Sequence, residues 1–109
     1  MTIEEKLNSL VEKMNQDPSG LNNLNATYSF DITDEEGMEW GVKVTSLKVE
    51  LSQSMYDESD CLLRMNAKNF EKLLDGSLNA TSAFMMGKIK AKGDLTYALK
   101  LQNVLNEYR

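Results

Sequence analysis

The sequence contains few side chains that could carry out chemistry. It has no histidine and one cysteine, Cys61, which excludes a Ser-His or Cys-His catalytic pair, a histidine zinc site and an internal disulfide. The acidic residues Asp31, Asp34, Glu35 and Glu36 lack the spacing of a calcium-binding loop and are typical of a hairpin tip. No carboxylate pair, and no nucleophile with a base, stands at a spacing that defines an active site. We therefore expect no catalytic residue, no metal site and no cofactor.

Composition and charge restrict the class of partner. The chain has 109 residues and a formal net charge of -5. We expect one domain over residues 1–109, and no nucleic acid partner, because no basic surplus is available to neutralise phosphates. Residues 1–6 lack a basic region followed by an apolar run, and no stretch is apolar for long enough to span a membrane. Since a lone cysteine favours a reducing compartment, we expect a cytoplasmic protein. The sequence carries no signal for the oligomeric state.

Apolar periodicity predicts the elements that would position a site. Thr2 and Glu5 form a capping box, and apolar residues at helical spacing then predict a helix that ends near Gln16. From there the period changes to two. Alternating apolar residues predict a hairpin over residues 26–32 and 38–44, with the acidic turn between its two arms.

Two further strands follow the hairpin. The alternation resumes over residues 47–51, and a reversal is expected around Thr45 and Ser46, although no glycine, asparagine or proline marks it. The next strand covers residues 61–65, where both faces are partly apolar. This pattern indicates a central strand that is covered on at least one side.

The last part of the chain is predicted to be mostly helical. Asn66 and Asn79 are predicted N-caps of two helices, a strand is predicted over residues 88–92, and Asp94 is expected to begin the last helix. The two helices between the fourth and fifth strands form a connection long enough for those strands to run parallel, with a right-handed crossover. The predicted fold is therefore α+β, with a mixed five-stranded sheet and helices packed on one face.

The last two helices carry more apolar surface than contact with a sheet requires. The apolar residues of the final helix span about 220° of its wheel at about 100° per residue, and the surplus would be core or one wall of a cavity. Gln102 lies within this arc, where its amide would either bond to nearby backbone or touch the polar end of a ligand. Met85 and Met86 are adjacent and point in different directions, so one of them is expected to face a groove, solvent or a ligand.

Three lysines alternate along the predicted fifth strand. Lys88, Lys90 and Lys92 could steer an acyl-CoA phosphate or an anionic membrane surface. Alternating lysines are also expected on a solvated strand face, where they discourage pairing with another sheet edge. The pattern favours the second interpretation.

An ordered set of short motifs runs from Cys61 to Leu105. It comprises Asp60-Cys61, a helix with Phe70 and Leu74 that ends at Gly76, Ser82-Ala83-Phe84, Gly87-Lys88-Ile89-Lys90, Gly93-Asp94 and Lys100-Leu101-Gln102-Asn103. Together these motifs resemble the sterol carrier protein-2 (SCP2) lipid-transfer family. The N-terminal half agrees in the order of its elements and in Trp40 near the start of a strand.

The resemblance implies a five-stranded sheet under several helices that enclose an apolar tunnel. Carried over residue by residue, the ligand wall would comprise Trp40, Met65, Phe70, Leu74, Phe84, Met85, Met86, Ile89, Leu101, Gln102 and Leu105. Met86 stands where the familiar animal pattern has a glutamine, which makes the tunnel more apolar there. The sequence also lacks the SKL-type peroxisomal address of many relatives at its end, which fits a cytosolic lipid carrier.

The resulting hypothesis is a non-catalytic intracellular carrier that binds fatty acids, fatty acyl-CoA or sterol-like molecules in an apolar tunnel. Its partner would be a lipid or fatty acyl ligand, with transient contact to a membrane surface. The alternative is an accessory or interaction module that presents a lipid-like intermediate to a partner enzyme. A small enzyme based on tyrosine or carboxylates is disfavoured, because no residue constellation supports it.

Overall fold

The computed structural model describes residues 2–45 and 47–108 as four α-helices, five strands and a short 3-10 helix. The helices are α1 (Ile3–Gln16), α2 (Ala67–Asp75), α3 (Ala80–Met85) and α4 (Leu95–Tyr108). The strands are β1 (Ala26–Ile32), β2 (Glu39–Thr45), β3 (Lys48–Ser52), β4 (Cys61–Met65) and β5 (Lys90–Gly93), and the 3-10 helix is Pro18–Leu21.

The five strands form one mixed sheet in the order β3-β2-β1-β4-β5. Strands β1, β2 and β3 are successive antiparallel neighbours, whereas β1 and β4 run parallel at the centre of the sheet. The predicted fold class, a mixed five-stranded sheet in an α+β protein, is therefore confirmed.

The predicted direction of the fifth strand is wrong. Strand β5 runs antiparallel to β4, with Lys90 opposite Arg64 and Gly93 opposite Cys61. The connection of two helices is long enough for a parallel crossover, but α2 and α3 return the chain to the same end of β4 from which it left. Length permits a parallel connection without requiring one, and the parallel pair of this sheet joins β1 to β4 instead.

The helices cover one face of the sheet, as predicted. The side chains of the sheet that face the helices include Phe30 of β1, its partner Trp40 of β2, and Val42, all of which are buried.

Segment 53–60 crosses the opposite face of the sheet. It approaches Gly41 so closely that a Cβ there would lie 2.6 Å from the Ser54 carbonyl oxygen, so only glycine fits this position.

Local capping signals predicted the helix starts correctly. Thr2 and Glu5 exchange two backbone-to-side-chain hydrogen bonds of 3.1 Å, which completes the capping box of α1. Asn66 and Asn79 accept the N-terminal backbone hydrogen bonds of α2 and α3. Each asparagine oxygen thereby pairs one N–H that a helix start otherwise leaves without an acceptor.

Two boundaries differ from the sequence prediction or lie beyond the description. The fifth strand begins at Lys90, two residues later than predicted, and Ile89 is buried just before it. Strand β2 ends at Thr45, whereas Ser46, the second residue of the predicted reversal, lies outside the described residues. Within the described part of the chain, no helix is both long enough and apolar enough to cross a membrane.

Candidate functional site

A void lined only by apolar side chains lies between three helices and the sheet. It has a volume of about 30 Å³. Its walls are Leu7, Leu10, Val11 and Met14 of α1, Phe70, Leu73 and Leu74 of α2, Leu101 and Leu105 of α4, and Phe30 and Val42 of the sheet. Since about 10–15 Å³ measured in this way holds one water molecule, the void has room for about two. It is a small gap in the apolar packing between the helices and the sheet.

Helical and strand periodicity explain why these residues meet. In α1, Leu7, Leu10 and Met14 recur at spacings of three and four, which places them on one buried face. On the sheet, Phe30 faces the helices, and its ring centroid lies 5.1 Å from that of Phe70. The amphipathic face of each helix thus supplies one wall.

Four of the residues that the resemblance placed in the ligand wall line this void. They are Phe70 and Leu74 of α2 together with Leu101 and Leu105 of α4. Both helices therefore present the predicted side chains to the same space.

Other predicted wall residues are buried outside the void. Trp40, Met65 and Ile89 each have 6% or less of their surface exposed, and none of them lines it. Phe84 is half-buried and packs against the core. These residues are part of the surrounding core in this structure, and their contact with a ligand stays a prediction.

The methionine pair lies at the surface. Met85 and Met86 are 85% and 67% exposed at the end of α3. The surplus apolar arc of α4 is divided in a similar way, since Leu101 and Leu105 line the void whereas Leu95 and Leu99 are exposed. Part of the excess apolar surface inferred from the sequence is therefore exterior surface.

Gln102 bonds to backbone. Its Oε1 accepts a hydrogen bond of 2.9 Å from the backbone N–H of Ala80, the first residue of α3. This contact matches the first of the two interpretations of its amide. It ties the start of α3 to the middle of α4.

The α1 residues of the void were not among the predicted wall residues. Leu7, Leu10, Val11 and Met14 are nevertheless spaced as one apolar helix face in the sequence. That spacing predicts burial, but it does not show which buried face borders a gap in packing. The signal that identifies them is the meeting of three amphipathic helices, which requires the tertiary arrangement.

A larger cleft of about 430 Å³ lies between the 3-10 helix and α4. Its lining mixes Leu21, Leu24 and Val104 with the amides of Asn22, Asn23 and Asn103 and the ammonium group of Lys100. Covering these polar amides and this charge with methylenes would cost them their hydration. The lining of the smaller void, which is wholly apolar, is therefore the better chemical match for a lipid chain.

The buried titratable groups near the site are held in their neutral forms. Burial raises the pKa of the Cys61 thiol to about 11, so the nucleophilic thiolate is scarce at neutral pH. Burial also raises the pKa of Tyr28, whose hydroxyl donates a 2.7 Å hydrogen bond to the Tyr97 carbonyl oxygen of α4. Among the described residues, no three acidic or cysteine side chains stand close enough to hold a metal ion.

Comparison with known sequences identifies the family. The model of the SCP-2 sterol transfer family matches residues 7–106. Hydroxysteroid dehydrogenase-like protein 2 of Bos taurus is 32% identical over 83 residues, which are 75% of this chain and 20% of that protein. Sterol carrier protein 2 of Homo sapiens is 30% identical over 105 residues, 94% of this chain and 18% of that protein. The chain thus spans about a fifth of the length of these curated relatives.

Solved structures share the fold at low sequence identity. Palmitated SCP2L2 from Aedes aegypti matches with a TM-score of 0.74 at 22% identity, over 96% of this chain and 95% of that one. The apo form of sterol carrier protein 2 from Yarrowia lipolytica gives 0.71 at 22% identity, over 93% and 87%. UbiJ-SCP2, a ubiquinone synthesis protein, gives 0.73 at 13% identity, over 91% and 84%. The resemblance found in the sequence motifs is confirmed, and the chain belongs to the SCP-2 sterol transfer family of lipid-binding domains.

Proposed function

We propose that this chain is a non-catalytic carrier that holds the apolar part of a lipid between α1, α2, α4 and the sheet. The cargo classes are fatty acids, fatty acyl-CoA and sterol-like molecules. The observation that carries the proposal is the void whose lining side chains are all apolar, in a member of a lipid-binding family. Burying each methylene of such a cargo contributes about 0.8 kcal/mol, which makes chain length the main determinant of affinity.

The site opens when it is filled. A void of about 30 Å³ is far too small for a long acyl chain, so the three helices move apart to form the tunnel. Their facing residues at the void are aliphatic or aromatic, and such contacts are not directional. The cargo replaces these contacts with equivalent ones, which keeps the cost of opening low.

The test uses protein purified without detergent. Native mass spectrometry is expected to show a bound lipid, and unlabelled acyl chains are expected to displace a fluorescent fatty acid. Val11 lies at the half-buried edge of the void. Val11→Trp is expected to lower the affinity for acyl chains, measured by displacement, at least tenfold because the indole fills the space. Glu12→Trp adds the same bulk at the next, exposed position and is expected to have little effect. Absence of both bound lipid and displacement would refute the carrier function.

A second substitution tests how far the opened site extends. We propose that Phe84 joins the wall when the helices separate, so Phe84→Asp is expected to abolish binding while the circular dichroism spectrum stays that of the folded protein. A carboxylate facing methylenes loses its hydration, which is the physical reason for the loss. Unchanged lipid affinity in this variant would limit the site to the void already seen.

The second candidate function is an accessory module that presents a lipid-like intermediate to a partner enzyme. It is favoured by the length of the curated relatives, since the two proteins compared above are about four and about five times as long as this chain. Co-purification of one specific enzyme, together with weak affinity for free lipids, would select this function over the carrier.

A transient contact with an anionic membrane surface would complete the carrier function. We propose that Met85 and Met86 make it, because both are exposed and are followed directly by a basic segment that begins at Lys88. Exposed apolar side chains next to lysines are suited to the headgroup region of an anionic bilayer.

A further inference from the structure

Trp40 is a buried tryptophan whose indole N–H meets no acceptor among the described residues. Only 6% of its surface is exposed, and among the residues that the structure describes its Nε1 is the buried side-chain polar atom without a hydrogen-bond partner. Buried indole N–H groups normally find a partner. This N–H is therefore available to an acceptor that a bound molecule brings.

The indole stands between the void and an open acidic cleft. Trp40 lies directly opposite Phe30 in the sheet, and Val42 follows it on the same face. Phe30 and Val42 line the void, whereas Trp40 lines a neighbouring cleft of about 290 Å³. A lipid that lies in the opened void with one end toward this cleft passes the indole.

The charges of this cleft restrict what that end can be. Its lining includes the carboxylates of Glu4, Glu35, Glu36 and Glu39, and none of the lysines and arginines that the structure describes lines it. A carboxylate or phosphate placed here would be repelled by four negative charges. An uncharged oxygen can accept a hydrogen bond from the indole without that repulsion.

We propose that Trp40 Nε1 donates a hydrogen bond to an uncharged oxygen, a hydroxyl or carbonyl, at the polar end of the cargo. The acidic cleft beside it discriminates against carboxylates and phosphates at the same position. This inference rests on the proposed carrier function. Among the proposed cargo classes it favours sterol-like molecules, whose polar end is an uncharged oxygen. A fatty acid or fatty acyl-CoA would bind with its charged group away from this cleft, while the void determines chain length.

The test compares three ligands of equal chain length: dodecanol, dodecanoate and dodecane. Trp40→Phe keeps the aromatic ring and removes the donor. It is expected to weaken dodecanol binding about 3- to 10-fold, the effect of one hydrogen bond, and to leave dodecane binding unchanged. Equal changes for dodecanol and dodecane would overturn the role of the indole N–H.

The role of the cleft is tested separately. The Glu36→Gln/Glu39→Gln double variant is expected to narrow the difference in affinity between dodecanol and dodecanoate, and added salt is expected to do the same in the wild type. Asp57→Asn/Glu58→Gln removes two exposed acids that do not line the cleft and is the matched control. If neither the double variant nor added salt changes the difference in affinity between dodecanol and dodecanoate, the cleft does not discriminate against carboxylates.

Fluorescence gives a readout that does not depend on a stable variant. Trp40 is the only tryptophan of the chain, so its emission reports directly on this position. Dodecanol is expected to shift the emission maximum relative to dodecane, and identical spectra would contradict the hydrogen bond. If none of the three ligands binds, the carrier function itself fails. If they bind without these differences, only the present inference fails.

Discussion

At the scale of single residues, Gln102 joins two helices through one hydrogen bond. Its Oε1 accepts from the Ala80 N–H at the start of α3. Gln102→Leu leaves that N–H without its acceptor and is expected to lower the free energy of unfolding by about 1–2 kcal/mol. Gln102→Glu keeps an acceptor oxygen and is expected to lose less than half as much. Urea unfolding of both variants measures the difference, and equal losses would show that side-chain packing matters instead.

The Cys61 thiol makes stability depend on alkaline pH. Burial raises its pKa from the ordinary 9.0 to about 11, so between these values the unfolded chain is deprotonated while the folded chain keeps its proton. The stabilisation is therefore complete below pH 9 and is lost as the pH rises toward 11. Tyr28, whose pKa burial also raises, acts in the same direction at higher pH.

The expected result is a free energy of unfolding that falls between pH 9 and 11, measured by urea unfolding at several pH values. Cys61→Ala removes the thiol and is expected to make this fall shallower. A wild type and variant with the same pH dependence would show that other groups, such as Tyr28, account for it.

At the scale of elements, Asn15 of α1 covers the edge strand β3. Its Nδ2 donates a 3.0 Å hydrogen bond to the Val49 carbonyl oxygen, and the Val49 N–H donates one of 2.8 Å to Asn15 Oδ1. One side chain thereby satisfies both backbone groups of an edge residue, as a further strand would. The clamp also fixes the C-terminal part of α1 against the sheet.

Removing the two hydrogen bonds between Asn15 and Val49 is expected to lower stability and to expose the edge of strand β3. Asn15→Ala leaves two part-buried backbone groups without partners, which is expected to lower the free energy of unfolding by about 2–3 kcal/mol. Gln16→Ala, which removes an exposed side chain from the same helix, is expected to change it by less than about 0.5 kcal/mol. Denaturant unfolding measures both, and a small effect of Asn15→Ala would mean that water replaces the amide.

Local signals predicted most elements, and the failures have a common cause. The capping box at Thr2 and the N-caps at Asn66 and Asn79 depend on residues three or four positions apart, so the sequence is sufficient for them. The direction of β5 depends on how α2 and α3 pack. No residue spacing encodes that packing, and the predicted parallel pairing of β4 and β5 was therefore wrong.

The candidate site, like the fold, could be predicted in part from the sequence. Phe70, Leu74, Leu101 and Leu105 were expected in one wall, and they do line one void. The contribution of α1 required the tertiary arrangement, because any amphipathic helix shows the same periodicity whether it borders a void or a filled core. The sequence likewise did not predict that the Trp40 N–H would lack an acceptor among the described residues, because the fold determines which groups surround it.

At the scale of the whole molecule, charge is divided unevenly along the chain. Residues 1–75 carry fifteen acidic and seven basic side chains, whereas residues 76–106 carry four lysines and one aspartate. The exposed Met85 and Met86 lie within this basic stretch. The proposed contact with a bilayer should therefore depend on both lipid charge and salt.

Co-sedimentation with phosphatidylglycerol and phosphatidylcholine vesicles measures this contact. Binding is expected to the anionic vesicles only and to weaken in high salt, and Met85→Ser/Met86→Ser is expected to reduce it severalfold. Leu47→Ser is the matched control, because Leu47 is 68% exposed but follows β2, outside the basic stretch. An equal effect of the two substitutions would argue against a contact through the methionine pair.

The small size of the void has a consequence for how fast the proposed carrier would exchange its cargo. Because a lipid chain cannot enter a space of about 30 Å³, capture would require the helices to separate first. The observed rate of binding should then rise with lipid concentration only up to a plateau, the rate of helix opening. Release from the proposed carrier would pass through the same opened state, so the rate of helix opening would set the upper limit of delivery for every cargo.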